Sequence, residues 1–186
     1  ASSYRGTSQL YIRDVNEVLL TGERCGDSPG GGPVDPVDAI DEKFDGVIDY
    51  TDVNITGWTN LLVSGDRLWQ GKTFNSDKYV QASGYNSGLT EMETWLITPP
   101  VTNISTKVLS FKSAMAFWAH STNTPMTVYI STDFVGDNFA TATWTELNVT
   151  IANQNSSDNA WISSGEVDLS NYSGNAAFAF KYVGRE

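Results

Sequence analysis

The run MTVYIST sets Met126, Val128 and Ile130 against Thr127, Tyr129 and Ser131, a period of two that belongs to an extended strand and not to a helix. The same alternation returns in WTELNVTI, where Leu147, Val149 and Ile151 oppose Glu146, Asn148 and Thr150. In AAFAFKYV, Phe178, Phe180 and Tyr182 share a face. VLSFKSAMAF puts Leu109, Phe111, Met115 and Phe117 on one side, with Ser110, Lys112, Ala114 and Ala116 on the other. Turn residues, not helical segments, separate these runs, so the chain reads as all-β, an antiparallel two-sheet β-sandwich. One apolar stripe per strand is buried only when two such faces stack about 10 Å apart. Trp58, Trp69, Trp95, Trp118, Trp144 and Trp161 supply much of the filling between them.

The stretch ETWLITPP, Glu93 to Pro100, shows where one strand must stop. Trp95, Leu96, Ile97 and Thr98 favour extended chain, while Pro99 has no amide donor and holds Thr98 extended, so the ladder ends at a fixed corner. Glu93 falls on the Trp95 and Ile97 side of that strand, where a carboxylate needs a donor if it is buried. Arg67, in GDRLWQ, is its expected partner.

With 186 residues and 40% hydrophobic content, the chain can bury a core without a staple. Its 22 acidic against 11 basic residues, a formal charge of -11, exclude a sequence-independent grip on nucleic acid or an anionic lipid surface. No apolar run approaches the roughly 20 residues of a membrane span. Cys25 is the single cysteine, which excludes an intrachain disulfide and a cysteine zinc site.

Residues 1–24 read as an N-terminal arm or the remnant of a preceding domain, and residues 25–39, which contain CGDSPGGGP, as a Gly/Pro linker. Residues 40–186 form the sandwich. Its pieces occur in a recognisable order: EKFDG (Glu42 to Gly46), GWTN (Gly57 to Asn60), GDRLWQ (Gly65 to Gln70), ETWLITPP, LSFKSAMAF, VYISTDFVGD, ATWTELN, SSGEVDLSNYSGN and FAFKYVG. As a set, these resemble the choice-of-anchor J domain, a module of exported and surface proteins of Bacteroidetes-type bacteria. The resemblance implies jelly-roll topology, a secreted or cell-surface location and a non-catalytic accessory or adhesive role. It also implies one further strand after KYVG, so the sandwich is expected to lack its last strand, and the open edge to invite a strand-exchanged homodimer or pairing with the arm. The segment YRGTSQLYIRDVNEVLL is similar to the closing strand of an OB-like domain.

Catalysis by a triad would need His120, the one histidine, beside a nucleophile, and its loop FWAHSTNTP has no nucleophile-elbow pattern. Paired carboxylates for a polysaccharide hydrolase are a further alternative, since Asp45, Asp66, Glu91, Glu93, Asp133, Asp137, Glu146, Glu166 and Asp168 are numerous and turn-rich. No cofactor is required. Jelly-roll modules commonly hold a structural calcium through carboxylates and carbonyls near the first strand, and the resemblance puts it at Glu42 and Asp45. Glycan recognition calls for exposed aromatic plates with polar side chains around them. Trp118, His120 and Asn123 on one loop, with Tyr85 and Asn86 in ASGYNSG, are the residues expected to meet a glycan or cell-surface polymer. The alternative is a structural spacer within a larger surface protein.

Overall fold

The computed structural model describes residues 32–117 and 125–185, together with the backbone of two short paired strands, β1 (Ser2–Tyr4) and β2 (Thr7–Gln9). The rest of the expected arm, Cys25, and the loop carrying Trp118, His120 and Asn123 lie outside the described residues. The fold is all-β. Its centre is an antiparallel sheet in the order β10 (Thr145–Glu146), β9 (Met126–Ser131), β13 (Ala177–Gly184), β6 (Met92–Ile97) and β3 (Thr59–Ser64). The strand nearest the C-terminus is therefore interior, and the edges belong to β3 and β10.

Register explains which side chains meet. Phe180 stands opposite Leu96 and Val128, and Tyr182 opposite Thr94 and Met126. This face carries two apolar clusters. Val128, Ile130, Phe178 and Leu169 pack with Leu109, Phe111 and Val167, while Met92, Leu96 and Tyr182 pack with Val53, Trp69 and Val80. The covering pieces are β7 (Val108–Leu109) paired with β12 (Val167–Asp168), β8 (Lys112–Ser113) paired with β11 (Ile162–Ser163), and the hairpin of β4 (Gln70–Phe74) and β5 (Asp77–Gln81). Positive φ at both Asn75 and Ser76 gives that hairpin the two-residue turn whose twist matches its strands.

The opposite face is not the polar surface that one stripe per strand implies. Ala177 and Ala179 are fully buried there, and the small methyls leave room for Trp95, Ile97 and Phe134, with Phe139 and Trp144 packed around them. Trp95 lies 5.6 Å from Trp144 and 5.1 Å from Phe139, ring centre to ring centre. Two of the indoles expected between stacked sheets thus sit on the far side of the central sheet, under the segment 132–144. Trp161 is 44% exposed. The expected strand Val108–Phe117 is also broken: Phe111 exchanges bonds with the Ser164 hydroxyl and amide, and Phe117, expected to face inward, is 82% exposed at positive φ.

At the corner after β6, the Thr98 hydroxyl accepts the Phe178 amide (3.0 Å), and Val101 resumes pairing with Ala176 beyond the two prolines. Within the expected linker, Val34 donates to the Val135 carbonyl, and Val37 donates to Pro100 and accepts from Thr102, so these residues are docked on the sandwich side of residue 40.

One polar side chain joins the central sheet to the hairpin. Asn60, 3% exposed, donates to the carbonyls of Trp69 (2.8 Å) and Val53 (3.1 Å) and accepts the Trp69 amide (3.0 Å). An alanine here leaves the buried Trp69 amide without an acceptor. Asn60→Ala is expected to lose about 2–3 kcal/mol of unfolding free energy in urea titration; a loss under about 0.5 kcal/mol would refute this role.

A second stitch is a set of hydrogen bonds to a carboxylate. The Asp133 carboxylate accepts the Ser131 hydroxyl (2.7 Å) and the Thr143 amide (2.8 Å), the Ser131 bond being the larger cause of a pKa below the usual aspartate range. A depressed folded pKa stabilises above the unfolded value near 3.9 and loses that contribution as pH falls through the lower folded value. Thermal midpoints of the native chain should therefore drop more steeply below about pH 4 than those of Asp133→Asn, and parallel curves would contradict the assignment.

Candidate functional site

Tyr85 and Asn86 stand at the tip of the loop between β5 and β6. The Tyr85 ring is 81% exposed, and Asn86 takes a positive φ. Beneath the ring the backbone is tied down. The Arg67 guanidinium donates to the carbonyls of Tyr85 (2.6 Å) and Asn86 (2.9 Å), and the Gly84 amide donates to the Tyr182 hydroxyl (2.9 Å). Ser83 and Ser87 hydroxyls accept the amides of Tyr85 and Leu89. Gly84 is obligatory because a Cβ there would lie 2.8 Å from the Arg185 carbonyl oxygen. Burial lifts the Tyr182 phenol above the ordinary tyrosine range, and the Gly84 bond opposes that rise. The loop is an ordered mount for one exposed aromatic ring.

Arg67 is thus not the partner of Glu93. Glu93 instead accepts the Trp95 indole N–H (2.7 Å) and pairs with Lys181 (3.1 Å) across the β6–β13 ladder, with the ammonium 5.3 Å from the Trp95 ring centre. The reason lies in register: Lys181 stands directly opposite Trp95, so its long stem reaches Glu93 one diagonal away.

A second aromatic group was missed in the sequence. In the β4–β5 hairpin Lys72 stands opposite Tyr79, and Gly71 opposite Val80. Val80 packs inward, so Lys72 and Tyr79 face out. The Lys72 ammonium lies 3.4 Å from the centre of the Tyr50 ring, and Tyr79 meets Trp161 edge to face at 5.7 Å. Tyr50 is 75% exposed. Burial lowers the Lys72 pKa, Asp49 partly restores it, and the charge of Arg67 lowers it further, so the Tyr85 mount and this face feel one another electrostatically. Burial raises the Tyr79 pKa, with Asp49, Tyr50 and Asp77 adding to it. The outward parity of KTFNSDKY was the available signal, readable once Asn75-Ser76 is taken as a two-residue turn.

At the expected calcium site, the Glu42 carboxylate caps the Phe44 amide and the Asp45 carbonyl accepts the Lys78 ammonium (2.7 Å), which also reaches the Val47 carbonyl (3.0 Å). A calcium ion that used the Asp45 backbone carbonyl would have to displace that ammonium. No group of three or more His, Cys, Asp or Glu with metal-holding geometry occurs among the described residues. The aspartates with displaced pKa values, Asp38, Asp133 and Asp168, are all displaced downward, by Lys107, by Ser131 and Thr143, and by Ser170 respectively. That is the direction of a cap or ion pair and the reverse of a general acid. A recess of about 380 Å³ beside β9 and β10 is lined by Thr127, Val128, Glu146, Leu147, Asn148, Val149 and Ile151, with no aromatic ring.

No family model, no curated protein and no solved structure matches the chain. Among the described residues no helix is long and apolar enough to cross a membrane.

The loop mount can be tested apart from any ligand. Arg67→Ala is expected to raise amide hydrogen exchange at residues 84–89 at least ten-fold while the β13 amides keep their protection. Unchanged exchange in the loop would show that the guanidinium does not hold it.

Proposed function

We propose that the chain is a non-catalytic accessory module, of jelly-roll sandwich type, that recognises carbohydrate or mediates adhesion outside the cell or at its surface. The observation that carries this reading is the Tyr85 ring, 81% exposed on a loop whose backbone is fixed by Arg67 and Tyr182. A loop whose backbone is already held leaves only the side-chain torsions of the ring to be ordered when a sugar stacks on it, so more of the contact energy appears as affinity. Asn86 beside it adds an amide for sugar hydroxyls. The resemblance to the choice-of-anchor J domain supports the same class and adds a secreted or surface location. Trp118, His120 and Asn123 remain part of the proposal on sequence grounds.

A structural spacer is the second reading, favoured by the absence of any aromatic ring from the 380 Å³ recess. Binding to an array of bacterial, plant and animal glycans, compared with Tyr85→Ala, separates the two. Binding that falls at least ten-fold in the variant supports recognition. A chain that binds no glycan on the array is the outcome expected of a spacer.

A further inference from the structure

We propose that the outward face of the β4–β5 hairpin is a second stacking site, separate from the Tyr85 loop, for a neutral hexopyranose polymer. This rests on the carbohydrate reading above and names the ligand class. The register places Gln70, Lys72 and Phe74 opposite Gln81, Tyr79 and Asp77, and parity turns all six side chains away from the core that holds Val80. Tyr50 joins the face through Lys72, and Trp161 joins it through Tyr79. Phe74, Tyr50 and Trp161 remain 64%, 75% and 44% exposed, although the fold has apolar segments available to cover such rings and does so at Trp95 and Trp144. A row of solvent-facing rings on one sheet face marks a contact surface.

The surrounding groups select the occupant. Sugar C–H faces pack on aromatic rings, and ring hydroxyls need donors and acceptors at the edge of the plate. Here Gln81 provides an amide at one end, beside Gln70, whose amide also donates to Asp52 at 3.4 Å. Lys72 has no carboxylate within ion-pair distance among the described residues and keeps N–H donors beside the Tyr50 ring. Charge removes the anionic alternative: Asp49, Asp52 and Asp77 flank the face of a chain with formal charge -11, which repels uronate or sulfated polymers. A neutral polymer feels no such penalty.

Affinity electrophoresis of the native chain through gels containing β-glucan, galactan, mannan or polygalacturonate tests this. At least one neutral polymer is expected to retard the chain, and Trp161→Ala to weaken that retardation at least ten-fold while its far-UV circular dichroism stays that of the native chain. Tyr79→Phe keeps the ring and should bind as the native chain does. Retardation by a neutral polymer that Trp161→Ala leaves intact, or retardation by polygalacturonate alone, would overturn this site and leave the general carbohydrate reading standing. No retardation by any polymer, with a blank glycan array, would remove both. Concentration-dependent dimerisation that Trp161→Ala abolishes would instead assign the face to a second copy and overturn the proposal.

Discussion

The alignment of β6 with β13 decides where almost every other side chain lies. Leu96 opposite Phe180 and Trp95 opposite Lys181 fix two faces at once. A slip of one residue would carry Trp95 and Ile97 to the side of Trp69 and Val53, and would drive Leu96 and Met92 into the space held by Phe134. The alanines of β13 make the alignment strict. Ala177 and Ala179 are fully buried beneath aromatic rings, and neither position admits a larger side chain without moving those rings. Phe180, on the other face, touches both apolar clusters and joins them into a single interior.

Around this two-sided sheet, polar side chains take over where backbone pairing fails. Thr98 supplies an acceptor where prolines end β6, Asn60 links β3 to residues 53 and 69, and Ser164 spans the gap between β7 and β8. Each is a short side chain held near one backbone geometry, so each fixes a corner that hydrophobic packing alone would leave loose. The Glu93–Lys181–Trp95 group performs a related task on a solvent-bordering part of the far face. It pairs a carboxylate with an ammonium and an indole N–H, so that no charge is left partly desolvated without a partner. The aromatic faces proposed to meet ligand depend on this frame. Tyr182, anchored in the core, holds the Tyr85 loop, and Val80, packed against the core, turns Tyr79 outward.

Period-two alternation made the strands at 126–131 and 177–184 legible from the residues, together with the corner at Pro99; in the run 145–151 only Thr145–Glu146 is strand, although Leu147, Val149 and Ile151 keep the expected inward side. Their inward residues follow that reading, from Val128 and Ile130 to Phe178 and Leu147. At VLSFKSAMAF the ladder is interrupted at Ser110–Phe111, yet the inward parity persists through Leu109, Phe111, Ser113 and Met115; it fails at Phe117, which is exposed at positive φ. Alternation also understated the far face, since alanine contributes almost no hydrophobic contrast even where a tryptophan from another strand lies upon it. Of the residues expected to meet ligand, Tyr85 and Asn86 do form an exposed tip, whereas the Arg67 that holds them was assigned to a distant carboxylate. A bond from a side chain to a backbone carbonyl leaves no trace in residue type, and charge sign alone pointed to Glu93.

The amino-acid sequence by itself determined that this chain builds antiparallel strands, that it carries a formal charge of -11, and that proline and glycine set the corners, because those properties belong to individual residues and their immediate neighbours. Only the tertiary structure decided that both sides of the central sheet are covered, that Lys78 reaches the Asp45 and Val47 carbonyls, and that Tyr50, Tyr79 and Trp161 share one outward face. Those arrangements join residues about 30 to 110 positions apart, and such distances are closed by strand register and packing, which no local pattern encodes.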